Sequence, residues 1–189
     1  MSIRIASEKK LLDAADDLFF TRGIAATPVD VVLARAGVSA ATLYRGFATK
    51  EALVAAALAR RHEAWTGVWE GAIAASGSPR ERLLAVFTAL DAFRERPDGA
   101  RWCAFLGSAA EYTDPPEQLR EVIDNDGRSL RDRLLELALA VVSPERAAPV
   151  ADALLLIVTG HLAMQLRDPG SDSRTARWIA EVLIDGSGG

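Results

Sequence analysis

Residues 27–50, TPVDVVLARAGVSAATLYRGFATK, constrain this chain more than any other stretch. Thr27 and Pro28 suit a helix start: the hydroxyl can cap, and proline at the first helical position loses an N–H that would be idle anyway. Val31, Val32 and Ala36 can face inward from that helix. Gly37 ends it, because glycine takes the positive φ of a sharp turn without steric cost. Ser39 can cap a short helix running through Phe47, and Thr49 caps another that begins at Lys50. Two short helices joined by a Gly-containing turn form a helix-turn-helix, or an ordinary hairpin in an inert bundle. Spacing alone leaves both readings open.

The rest of the chain is helical in pattern. No stretch sustains the period-2 alternation of a strand, whereas apolar residues recur three and four apart throughout. A first helix is expected from Ser7, as cap, to Arg22, with Leu11, Leu12, Ala15, Leu18 and Phe19 as its stripe and Gly23 as its stop. The helix from Lys50 continues towards Trp69. Gly77-Ser78-Pro79 breaks the chain, and a helix follows to Arg94. Pro97-Asp98-Gly99 is a turn, Trp102–Tyr112 a largely buried helix, and 116–142 a long one. Pro149 marks a step before an apolar helix to Leu166, and a last helix covers 173–184. The fold class is therefore all-α, about nine helices. Residues 1–50 are expected to form a helix-turn-helix domain and 51–189 a larger helical one.

Composition narrows the function. Half the residues are apolar and a quarter charged, which fits a folded core. No apolar run nears the roughly 20 residues of a membrane span, and no apolar segment follows the basic N-terminus as in a secretion signal. A lone Cys103 fits a reducing cytoplasm and an inert buried thiol. The net charge of −4 conceals an asymmetry: residues 1–62 hold nine Lys/Arg and six Asp/Glu. Binding a phosphate polymer requires such local positive charge, not a basic whole. Asp13, Asp16 and Asp17 read as a solvated face of the first helix. With two histidines, no nucleophile elbow, no phosphate loop and no metal-spaced ligand set, an enzyme is not expected, nor any cofactor or metal.

The 27–50 segment carries DNA-binding chemistry. Ala40, Ala41 and Thr42 are small enough for the start of the third helix to approach base edges, while Val38 and Leu43 suit the wedge between helices. Tyr44 can bond a phosphate, Arg45 a phosphate or a guanine edge, and Lys50 the backbone. Thr27 and Ser39, at the helix starts, complete the expected contact set.

These residues also resemble a known family. Leu12-Asp13-Ala14-Ala15 with Leu18-Phe19, Arg22-Gly23, Ala26-Thr27, Ala36-Gly37-Val38-Ser39, Thr42-Leu43-Tyr44, Phe47 and Lys50-Glu51-Ala52-Leu53 resemble the DNA-binding domain of TetR-family regulators over about 50 residues. The segment from Arg101-Trp102-Cys103-Ala104-Phe105 to Glu111-Tyr112 is similar to one in many members. The resemblance implies a homodimer, a double-stranded DNA operator and a small-molecule effector bound in the C-terminal domain. It also implies that the last two long helices pair with their copies. Apolar residues of 151–166 and Trp178, Ile179, Val182 and Leu183 suit such pairing. Candidate effector contacts are Phe87, Leu90, Trp102, Phe105, Leu106, Tyr112, His161 and Gln165. His161 needs a partner if buried, either a ligand or Tyr112 or Glu111, or a place at the dimer seam. Glu111 is either a polar pocket anchor or a solvated helix end. The rival reading is a helical dimeric interaction module without sequence-specific DNA binding.

Three departures from the family pattern matter. Leu33 replaces a usual Ala, bulk to be absorbed by repacking near Phe19 or Phe20. Gly46 stands where an aromatic or His is usual and weakens the helix there. Ala40 replaces a common Lys, which leaves base reading to Thr42, Arg45, thymine-methyl contacts and DNA shape.

Overall fold

The computed structural model describes residues 3–96 and 103–186. They form nine helices: α1 (Ile5–Arg22), α2 (Val29–Ala36), α3 (Ala40–Gly46), α4 (Lys50–Ala74), α5 (Pro79–Arg94), α6 (Ala104–Glu111), α7 (Glu117–Ala138), α8 (Pro144–Met164) and α9 (Arg174–Asp185). The chain divides into two compact units. One holds the chain through His62 together with Cys103–Asp124. The other runs from Glu63 through α5 and resumes at Asn125.

The first unit is built on α1, which packs against both α2 and α3. Its buried stripe is Leu11, Ala14, Ala15, Leu18, Phe19 and Phe20, joined by Ile24, Val32, Leu43, Leu53, Leu58 and Leu119. Each such Leu or Phe stabilises by about 1.5–3 kcal/mol when taken fully out of water. The helix starts earlier than expected, with Arg4 rather than Ser7 at its N-cap. In α2 the inward residues are Val32 and Ala36, whereas Val31 is exposed. Leu33 is only half-buried, so its bulk runs along the surface, and Phe19 and Phe20 stay buried beneath.

The acidic face of α1 is not simply solvated. Asp13 pairs with Lys9 and Arg60 at 2.7 Å each, Asp17 with Arg35 at 2.7 Å, and Asp16 with Arg60. Burial opposes the charge on Asp13, but the hydrogen bonds from Lys9 and Arg60 prevail and hold its carboxyl below the usual value. On Asp16 burial prevails and pushes the carboxyl up, despite Arg60.

In the second unit the core centres on Leu83, Leu84, Phe87, Leu134, Leu154 and Val158. Ser78 and Glu81 form a capping box at the start of α5, with Pro79 in its first turn. α8 runs unbroken through Pro149. The proline forgoes one bond, to the carbonyl of Glu145, at an exposed end where water can serve it. α8 is also long and apolar enough to cross a membrane by length and composition, with mean hydropathy 1.6 over its best window, although Asp152 interrupts its apolar run. A third of that window is buried within the chain (33%).

α9 carries apolar residues on two faces. Ala176, Ala180 and Ile184 point into the chain, while Trp178, Ile179 and Val182 are 63%, 44% and 52% exposed. From α8, Leu156 and Met164 are likewise exposed. Small residues let α8 and α5 approach α9 closely, and the large ones are left outward.

Gly37 has φ +64°, in the left-handed region, and no atom within 4 Å of where a Cβ would stand. Gly37→Ala is therefore expected to cost only backbone strain, about 1–2 kcal/mol, as a lower urea midpoint with an unchanged m-value.

Candidate nucleic-acid interface

Ser39 caps α3 as expected, its Oγ accepting from the Thr42 N–H at 3.2 Å. Leu43 is wholly buried and Phe47 nearly so, which fixes α3 against the body of the unit. Ala40, Ala41, Tyr44 and Arg45 consequently face solvent, Tyr44 at 57% exposure, and Thr42 is half-buried. Arg45 is braced along its own helix: Nε donates to the Ala41 carbonyl and Nη2 to Thr42 Oγ1, both at 3.1 Å. These are uncharged oxygens, so the guanidinium keeps its full charge for an incoming anion.

Gly46 has a physical reason that sequence did not suggest. A Cβ there would lie 2.8 Å from Cδ1 of Ile3, so the glycine lets the N-terminal segment close over the end of α3. The helix persists through Gly46 nonetheless.

Thr27 departs from expectation. It is buried, 1% exposed, and its hydroxyl donates to the Gly23 carbonyl at 2.8 Å. Pro28, with no side-chain hydrogen bond, takes the N-cap of α2. Thr27 thus ties down the α1–α2 turn and offers no side chain to DNA.

Lys50 is bound more tightly than its surface position implied. Nζ donates to the Ile24 carbonyl at 2.5 Å and lies 5.7 Å from the centre of the Phe19 ring. One of its three N–H donors is spent on the turn, and two remain. Ile24 also engages on its other side. Its N–H and that of Ala25 donate to the two carboxylate oxygens of Glu111, at 3.0 and 2.6 Å. Glu111 is therefore neither a pocket anchor nor a merely solvated helix end. No local signal in the sequence reveals this contact, because 86 or more residues separate the partners.

The candidate effector residues are divided between the two units. Phe105, Leu106 and Tyr112 lie in the first, where Phe105 meets His62 edge to face with ring centres 6.3 Å apart. Burial, then the negative charges of Glu51 and Glu111, push the Tyr112 phenol up. Of α6, only Ala104, Phe105 and Ser108 are buried, and Cys103, its N-cap, is half-buried. Phe87, Leu90, His161 and Gln165 lie buried in the second unit. Trp102, like the 97–99 turn, lies outside the described residues. His161 finds its partner on its own helix: its Nε2 is 3.2 Å from Nε2 of Gln165. Trp65, one helical turn before Trp69, stacks on it and meets Phe93 edge to face, each with centres 5.8 Å apart. Trp69 Nε1 is buried without an acceptor among the described residues.

Comparison with known proteins places this geometry. The family model "Bacterial regulatory proteins, tetR family" matches residues 11–57. Among solved structures, a TetR-family transcriptional regulator from Streptomyces coelicolor is 26% identical, with TM-score 0.86, over 96% of this chain and 89% of that one. A transcriptional regulator of the same type from Streptomyces avermitilis is 24% identical, with TM-score 0.81, over 96% and 97%. The reduced form of NemR from E. coli is 21% identical, with TM-score 0.74, over 95% of each chain.

Burial depresses the His161 imidazole below its ordinary value of 6.5, and the nearby Arg94 adds to this against Asp91 and Asp172. The folded chain thus keeps His161 neutral where the unfolded chain takes up a proton. Stability present above pH 6.5 is lost as pH falls from there towards the depressed value. His161→Gln is expected to lessen that loss, measured as urea unfolding free energies at neutral and mildly acidic pH.

Proposed function

We propose that this chain, whose residues 11–57 match the tetR family model, is a transcriptional regulator that grips a palindromic operator as a cytoplasmic homodimer and leaves it when a small molecule binds. The observation that carries this reading is the solvent-facing surface of α3, with Ala40, Ala41, Tyr44 and Arg45 outward over a buried Leu43. Small residues let the helix enter a major groove, where Thr42 and Arg45 read base edges while Tyr44, Arg45 and Lys50 meet phosphates. Ser39 contributes by holding the first turn in shape. The work is recognition rather than chemistry. A capped α3 with an uncancelled guanidinium disfavours the rival reading of an interaction module without DNA.

A second copy supplies the operator's symmetry. The outward Trp178, Ile179 and Val182 of α9 and Leu156 and Met164 of α8 form a face suited to isologous pairing. Pairing also accounts for the apolar character of α8 without a bilayer. Two α3 helices about 34–36 Å apart then meet successive major grooves. An effector that binds better to a different spacing releases the DNA by that difference in affinity. Its proposed contacts are Phe87, Leu90, His161 and Gln165, all buried in the second unit. The unserved Trp69 N–H is the donor that a ligand acceptor would satisfy.

Selection of duplexes from a random pool by the purified protein tests the first claim, and recovery of no enriched sequence would remove it. Lys50→Ala is expected to weaken all duplexes alike and reduce the salt slope by about 1; an unchanged slope refutes that contact. Trp178→Glu should yield monomers in light scattering and lose operator binding, whereas a dimer of normal affinity would refute the pairing face.

A further inference from the structure

We propose that Glu111 is a positioning residue that couples α6 to the helix-turn-helix by clasping the turn from which α2 springs. The inference rests on the DNA-binding reading above. The N–H of Gly23 closes α1 onto the Phe19 carbonyl, and there φ turns to +93°. The next two N–H groups, of Ile24 and Ala25, leave the helix together and fall on one carboxylate at 3.0 and 2.6 Å. Glycine at 23 suits the positive φ of the turn, and a Cβ there would merely touch Glu111 Oε1, at 3.4 Å.

The carboxylate sits at the wrong end of its own helix. Glu111 is the last residue of α6, where the macrodipole disfavours negative charge. Nothing within α6 calls for an acid there, whereas the two turn N–H groups do. The far side of the same turn is held too, by Lys50 on the Ile24 carbonyl. Thr27 closes it from within. The turn is thus gripped by α6 through its donors and by α4 through its acceptor, and α2 and α3 follow from it.

Hydrogen bonds of this kind weaken steeply with distance and angle, so a shift of α6 by an ångström or two releases the turn. Phe105 and Ser108 are buried and make α6 a rigid lever, while the carboxylate alone reaches the turn. By reciprocity, whatever α6 does to DNA affinity, DNA must do to α6.

Amide hydrogen exchange on the full chain, with and without a selected duplex, tests this. In the wild type the duplex should slow exchange in the helix-turn-helix and also in α6. In Glu111→Ala the Ile24 and Ala25 amides should exchange about tenfold faster without DNA, and the duplex should no longer protect α6. Glu111→Gln, which keeps one uncharged carbonyl acceptor, should restore part of both effects. An unchanged melting temperature in the glutamine variant separates coupling from folding. Normal duplex binding by Glu111→Ala with wild-type protection of α6 would overturn the coupling alone. Wild-type protein that binds no duplex would overturn the DNA reading, and this inference with it.

Discussion

α3 is seven residues long and cannot hold itself in water; helices that short do not repay their own nucleation. What keeps it formed is the burial of Leu43 and Phe47 against the unit that α1 organises. Everything asked of the outward face depends on that inward anchorage. Ser39 closes the first turn, Gly37 sets its direction with a left-handed backbone, and Gly46 admits Ile3 over its end. A reading surface with few hydrogen-bonding side chains is workable because it is fixed in place.

Charge in the first unit is sorted rather than merely positive. Lys9, Arg35 and Arg60 are answered by Asp13, Asp17 and Asp16 on α1. Arg45 and Lys50 instead rest on carbonyl and hydroxyl oxygens, which orient a cation without cancelling it. The excess of basic residues over residues 1–62 therefore understates how local the useful charge is. Lys50 fixes the α1–α2 turn with one of its three N–H donors and keeps two others.

The second unit solves a different problem. Its α9 has small residues towards its own chain and large apolar ones towards solvent, the reverse of a monomer's economy. Close approach through Ala176 and Ala180 preserves compactness. The exposed indole of Trp178 and its neighbours offer surface whose burial is worth about 25 cal/mol per Å² when another apolar face arrives. Within the same unit Ser173, at the start of α9, joins the Asp91 carboxylate and the Phe87 carbonyl of α5 at 2.6 and 3.1 Å. Such bonds fix α9 so that its outward face is presented in one orientation.

Local pattern settled a great deal. The succession of helices, the Gly37 turn, the Ser39 cap and the buried Leu43 follow from propensity, periodicity and stereochemistry acting over a few residues, and they are legible without coordinates. The same local rules misplaced Thr27, because whether a hydroxyl caps the helix ahead or ties the turn behind depends on the backbone path. They picked out the large apolar stripe of α9 but not the small residues, Ala176 and Ala180, that face its own chain. They could not foresee the bonds from the Ile24 and Ala25 N–H groups to Glu111. Those are contacts between segments far apart in sequence, and only the packing of whole helices decides which distant carboxylate reaches which unpaired N–H.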